Sequence, residues 1–177
     1  HIDFALGDEF FADRDVVADN LNKAETQAEP SLLFFARPGI PRRAFELGVQ
    51  ALTDFHRGRP EVEIRLYGLE ETLALPFDYT DLGVIDQEQV ASEMRKASVH
   101  LSFSRTNAST VIFEAMACGA VAVELDVDSV RTLIDDPETC VLCEDSPEAV
   151  TQSLIDLFDD PERMRRIAKA GFQSVST

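Results

Sequence analysis

Two short stretches hold most of the residues that could do chemistry. "ARPGIPRRAFE" sets Arg37, Arg42 and Arg43 in a Pro/Gly loop that opens a helix. Guanidinium forks beside the unpaired N–H groups of a helix start suit phosphate oxygens. "SRTNASTVIFEAMACGAVAVEL" offers hydroxyls and an amide at Thr106, Asn107, Ser109 and Thr110, then Glu114 among residues that want burial. A carboxylate so placed must find a partner, such as Arg37 or Arg105, or meet a ligand. It lies about one helical turn beyond Ser109 and Thr110, so it could accept hydrogen bonds from hydroxyls of a ligand whose phosphate sits at the helix start. A ribose or hexose offers such hydroxyls. The plainer readings are a solvated surface loop for the arginines and ordinary helix capping for Ser109 or Asn107.

The elements that must position these residues alternate. "SLLFFA" reads as a strand covered on both faces, and "EVEIRLYG" alternates so that Val62, Ile64 and Leu66 share a face. Between them "PRRAFELGVQALTDFH" puts Phe45, Val49, Leu52 and Phe55 on one side of a helix. "TDLGVI", "SVHLSFS", "AVAVEL" and "TCVLCE" are four further strand candidates. "DQEQVASEMRKA" is a helix with Asp86 as N-cap and Gln89 three residues on, and "STVIFEAMAC" is a helix ending at Gly119. "SPEAVTQSLIDLF" and "DPERMRRIAKAG" each open with a cap residue followed by Pro. The expected fold is α/β, a Rossmann-like doubly wound parallel sheet of about six strands with helices on both faces. Ligands of such sheets sit beyond the carboxyl ends of the strands, where strand order reverses. The arginine loop and the Thr106–Thr110 loop both follow strands, so they flank that crevice.

Composition narrows the function. A formal charge of -17 on 177 residues repels phosphate backbones, which disfavours nucleic acid as a partner. The apolar runs are too short to span a bilayer. The three cysteines, Cys118, Cys140 and Cys143, make an odd count that fits a reducing compartment. "CVLC" as a strand throws Cys140 and Cys143 to opposite faces, and His1, His56 and His100 stand at no ligand spacing, so no metal is expected. His100 falls in mid-strand and is expected in the core. The chain lacks G-x-G-x-x-G, a P-loop and a G-x-S-x-G elbow.

The motifs resemble the C-terminal, donor-binding domain of GT-B glycosyltransferases of the bacterial group-1 family, over roughly residues 31 to 171. "FFARPGIPRRAFELGVQAL" resembles the family's strand and basic loop, with Arg37 as the first diphosphate-gripping residue and Arg42 or Arg43 as the second. "FEAMACGAVAVEL" is similar to the second half of the family's Glu-x7-Glu motif, which makes Glu114 the carboxylate on the nucleotide ribose. The first half departs, since Thr106 stands eight residues before Glu114. The "RTNAS" string in its place resembles a rhamnosyltransferase-like subgroup that builds polysaccharides. By the same resemblance Gly83 and Val84 lie under the nucleobase.

The resemblance implies transfer of a sugar from a nucleoside-diphosphate sugar to a glycan or lipid-linked acceptor, with Arg37, Arg42 and Arg43 stabilising the departing diphosphate and no cofactor or metal. It implies a cytoplasmic site, at the inner face of the membrane if the full-length protein associates peripherally. Residues 1–30 are expected to connect from an N-terminal acceptor domain, the chain being read as part of a longer protein, and 31–177 to form the donor-binding domain. The isolated domain is expected to bind donor and to turn over poorly. A nucleotide-sugar epimerase of the same architecture and a non-catalytic nucleotide-sugar-binding module are the alternatives.

Overall fold

Six apolar runs become the strands of one parallel sheet in the computed structural model, which describes residues 6–22, 29–106, 109–134, 136 and 138–176. In chain order the elements are α1 (Asp8–Phe11), α2 (Arg14–Asn22), β1 (Ser31–Phe35), a 3₁₀ turn (Pro41–Arg43), α3 (Phe45–Gly58), β2 (Glu63–Tyr67), β3 (Thr80–Asp81) and α4 (Gln87–Lys96). There follow β4 (Val99–Leu101), α5 (Val111–Ala117), β5 (Val121–Leu125), α6 (Asp128–Arg131), β6 (Val141–Cys143), α7 (Pro147–Asp159) and α8 (Pro161–Val175). The strands lie in the order β3-β2-β1-β4-β5-β6, and every pairing is parallel. The order reverses between β1 and β4, so the crevice of this Rossmann-type sheet opens beyond their carboxyl ends.

Strand alternation divides the core in two. Leu32 and Phe34 of β1, Ile64 and Leu66 of β2 and Val121 and Val123 of β5 face one layer, which Phe55 of α3 and Leu154 of α7 fill. Leu33, Tyr67 and Ala122 face the other, closed by Met94 of α4 and Ile112 and Met116 of α5. Cys143 joins the first layer and Cys140 the second, as the expected opposite faces require. The helix after β1 needs Gly48, because a methyl group there would come within 2.3 Å of the Phe34 ring. Asp86 and Gln89 form the complete capping box, while Ser146 and Asp160 cap the two Pro-initiated helices.

Two stretches differ from their sequence reading. "TDLGVI" pairs through Thr80 and Asp81 alone. Gly83 then adopts φ +66°, its N–H held by the Asp81 carboxylate at 2.8 Å, and this left-handed turn takes the backbone off the sheet edge. "STVIFEAMAC" starts as a helix only at Val111, and Thr110 at its N-cap makes no capping bond with its side chain. The described part of the expected connector is two helices folded onto the sheet layers. Phe10 of α1 is 2% exposed and packs with the α4–α5 layer, and Val17 of α2 lies against Gly119. Among the described residues no helix is long and apolar enough to cross a membrane.

Candidate functional site

The arginine loop is shaped by its backbone. Ala36 donates to Tyr67 O at 2.8 Å, so the chain leaves β1 still tied to β2, and Ile40 N closes a turn on Arg37 O at 3.1 Å. Pro41 starts the 3₁₀ turn, which ends at Ala44 in a left-handed conformation, φ +46° and ψ 42°. That geometry costs a residue bearing a Cβ roughly 1–2 kcal/mol. Ala44 is fully buried, so packing holds the kink that lets α3 begin directly after Arg43. Arg43 lies with its guanidinium carbon 5.1 Å from the centre of the Phe35 ring and donates to Ser109 Oγ at 3.2 Å. Burial, followed by the charge of Arg42, lowers its pKa, Glu124 and Tyr67 oppose this, and Arg37 lowers it further.

The exit of β4 faces this loop. Ser102, Phe103 and Ser104 are buried, Arg105 and Thr106 are exposed, and Ser109 is buried again. Asn107 lies outside the described residues. Arg105 N donates to Arg42 O at 3.0 Å, joining the two loops through main chain. The Arg105 side chain makes a two-pronged pair with Asp145, at 2.7 and 2.8 Å.

Glu114 is therefore not Arg105's partner, and no arginine among the described residues lies within ion-pairing distance of it. It is half-buried and accepts a hydrogen bond from the Thr110 hydroxyl at 3.0 Å, along one turn of α5. Burial raises its pKa; the Thr110 bond opposes this, Glu9 adds to it, and Arg43 opposes it. Arg37, Glu114 and Val84 line a single cleft of about 280 Å³, walled by the Tyr67 ring and by Phe10. A second hollow of about 240 Å³ meets it at Arg37 and Gly68. Gly68 has φ +96°, and its N–H donates to Gly83 O at 2.7 Å. The structure thus gathers Arg37, Val84 and Glu114 in the cleft and joins Arg43 to Ser109, while Gly83 is bonded to Gly68 through main chain and is not among the cleft-lining residues. Arg42 enters through its carbonyl, and Thr106 and Thr110 are exposed.

Three features were not foreseen. Tyr67 stacks on Phe35 with ring centres 4.9 Å apart, and its hydroxyl shares a hydrogen bond with His100 Nε2 at 3.0 Å. His100 is core, as expected, and burial pushes it down to about 3, so it stays neutral. The third is Glu124 of β5, which has no exposed surface and accepts from Ser104 N at 2.7 Å and Leu125 N at 2.9 Å. Burial pushes it up to about 7 against the pull of those bonds. Its signal was present in the sequence, since "VAVEL" carries the same lone carboxylate in an apolar run as "VIFEAMA". A guanidinium group and a half-buried carboxylate lining one cleft can hold an anion at one end and hydroxyl groups at the other.

Comparison with known proteins bears on the family and the fold. The model of the WsaF C-terminal domain family matches residues 30–155. The O-antigen biosynthesis protein RfbC of Myxococcus xanthus is 32% identical over 155 residues, which are 85% of this chain and 12% of that protein. The C-terminal domain of a glycosyl transferase group 1 family protein from Francisella tularensis superposes with a TM-score of 0.71 at 18% identity, covering 83% of this chain and 84% of that one. A complex of Anabaena HepE with UDP and glucose superposes at 0.70 and 16% identity, covering 97% of this chain and 48% of that one. The chain belongs to the WsaF C-terminal domain family and has the C-terminal domain fold of GT-B, group-1 glycosyltransferases.

Proposed function

We propose that this domain binds a nucleoside-diphosphate sugar and presents it for transfer to a glycan or lipid-linked acceptor in polysaccharide biosynthesis. The observation that carries the reading is Glu114, half-buried with no cation paired to it among the described residues, in one cleft with Arg37. Arg37 and Arg43 grip the diphosphate, Glu114 takes the ribose hydroxyls, and the turn at Gly83 and Val84 lies against the base. The backbone of Arg42 and the hydroxyls of Thr106, Ser109 and Thr110 border the diphosphate and the sugar. As the glycosyl bond breaks, negative charge gathers on the leaving diphosphate, and guanidinium groups fixed there favour the transition state over the ground state. This scheme needs no metal. The O-antigen role of the Myxococcus xanthus relative and the UDP of the Anabaena complex support the reading. The acceptor comes from outside this domain.

Calorimetric titration with UDP, GDP, dTDP and their sugars tests it. One nucleotide series binds, and Arg37→Ala and Glu114→Gln each weaken it by about 1.5–3 kcal/mol, the value of a hydrogen bond to a charged group. Binding unchanged by both substitutions overturns the assignment.

A further inference from the structure

Glu124 is the one fully buried carboxylate among the described residues, and the donor-site reading above gives it no task. Both of its hydrogen bonds fall on Oε1; Oε2 accepts none among the described residues. Ser102, on the neighbouring strand, lies beside it with a hydroxyl that is likewise buried. The groups with which its charge interacts are Arg43 from the turn before α3 and the thiols of Cys140 and Cys143 from the segment of β6. Burial holds both thiols protonated, Cys140 being pushed up to about 12, and His100 on β4 is neutral. Among the described residues of these elements, Arg43 is therefore the charged group with which Glu124 interacts.

The bonds form a chain of support. Glu124 fixes Ser104 N, the next residue Arg105 fixes the Arg42 carbonyl, and Arg43 reaches Ser109. Resting on the donor-site reading, we propose that Glu124 is a positioning residue for the diphosphate, tying the exit of β4 to β5 and supplying the counter-charge against which Arg43 is poised. A diphosphate arriving at Arg43 competes with that counter-charge. Glu124 then takes up a proton, and the full guanidinium charge is released to the ligand. Its carboxyl, standing near neutrality in the free domain, makes the uptake possible at ordinary pH. The sign follows from linkage, because a group that binds protons more tightly in the complex makes the complex tighter as pH falls.

The test uses UDP-glucose, whose phosphates do not titrate in the range, with GDP-mannose and dTDP-rhamnose alongside, between pH 6 and 8.5. For the nucleotide sugar that binds, affinity in the wild-type chain rises as pH falls, by up to about tenfold for each unit that binding shifts Glu124. Glu124→Gln keeps an oxygen for Ser104 N and Leu125 N but cannot titrate, so it binds with this slope removed. Glu124→Leu loses the strut as well and binds weakly at every pH. The Ser104 amide resonance provides a readout without ligand, titrating with Glu124 in the wild type and standing still in Glu124→Gln. A wild-type chain that binds with no pH slope, or a Glu124→Gln variant that keeps the slope, overturns the proposal and leaves the donor site standing. Absence of binding by any of the sugars overturns both.

Discussion

Replacing Gly68 by Ala should damage fold and cleft together, and the cost can be worked out from its surroundings. The backbone there has φ +96°, a region in which a Cβ costs roughly 1–2 kcal/mol. The added methyl would stand 2.9 Å from the Ala36 carbonyl oxygen, 3.0 Å from Arg37 Cδ and 3.1 Å from the Phe35 ring. Main chain cannot step aside as a flexible side chain can, and such crowding costs about 1–3 kcal/mol more. The sum is about 2–5 kcal/mol, or a fall in Tm of roughly 5–20 °C for a chain of this length. Urea denaturation at neutral pH reads it directly. Gly58→Ala is the control, because a methyl there meets nothing within 4 Å, and it should stabilise by about 0.4–1 kcal/mol. Because the relief of strain pushes Arg37 away, Gly68→Ala should also weaken nucleotide binding under conditions where it is fully folded. A Gly68→Ala protein within 0.5 kcal/mol of wild type would refute the reasoning, since neither the strain nor the contact would then be real.

Other expectations concern buried titratable groups. His100 stays neutral down to about pH 3 in the folded chain while an unfolded histidine charges below about 6.5, so its contribution to stability is full above pH 6.5 and is lost progressively as pH falls toward 3. By pH 4.5 that loss reaches about 3 kcal/mol. Urea midpoints for His100→Gln, which keeps an acceptor for Tyr67 and does not titrate, should fall less between pH 7 and pH 4.5 than those of the wild type. An equal fall in both would show that His100 is not the group responsible. The thiols of Cys118, Cys140 and Cys143 are buried and held protonated, so a thiol reagent should label them at the rate at which the native chain opens. Labelling much faster than amide hydrogen exchange of the core strands would contradict that burial.

The helix starts were legible because caps are local. Asp86 with Gln89, Ser146 before Pro147 and Asp160 before Pro161 each make the bond that a few adjacent letters announce. The stretch "TDLGVI" was over-read as a full strand. Its apolar residues read the same whether or not they pair, and what ends the pairing is a dihedral angle at Gly83. The arginine loop and Glu114 stand out as candidates because a charge in an unexpected place is visible in the sequence. How they are arranged was not, since Arg105 could as readily have turned to Glu114 as to Asp145. Glu124 escaped notice although its letter was as anomalous as that of Glu114. Its first partner is the main chain of a loop 20 residues away, and a backbone N–H has no letter of its own. Phe10 and Val17 lie in an acidic segment where nothing in the pattern separates them from Val16, which stays exposed.

The arginine loop sits on a molecule whose formal charge is -17. An anionic ligand therefore meets two opposed fields, repulsion from the whole surface at long range and attraction from a few guanidinium groups close in. Dissolved salt screens them unequally, because separations beyond about 8–10 Å lose their effect first. Moderate salt thus removes the outer barrier while leaving the inner grip largely intact. On the proposed donor-site reading, binding should therefore survive moderate salt and should favour anions that come into contact with the loop itself.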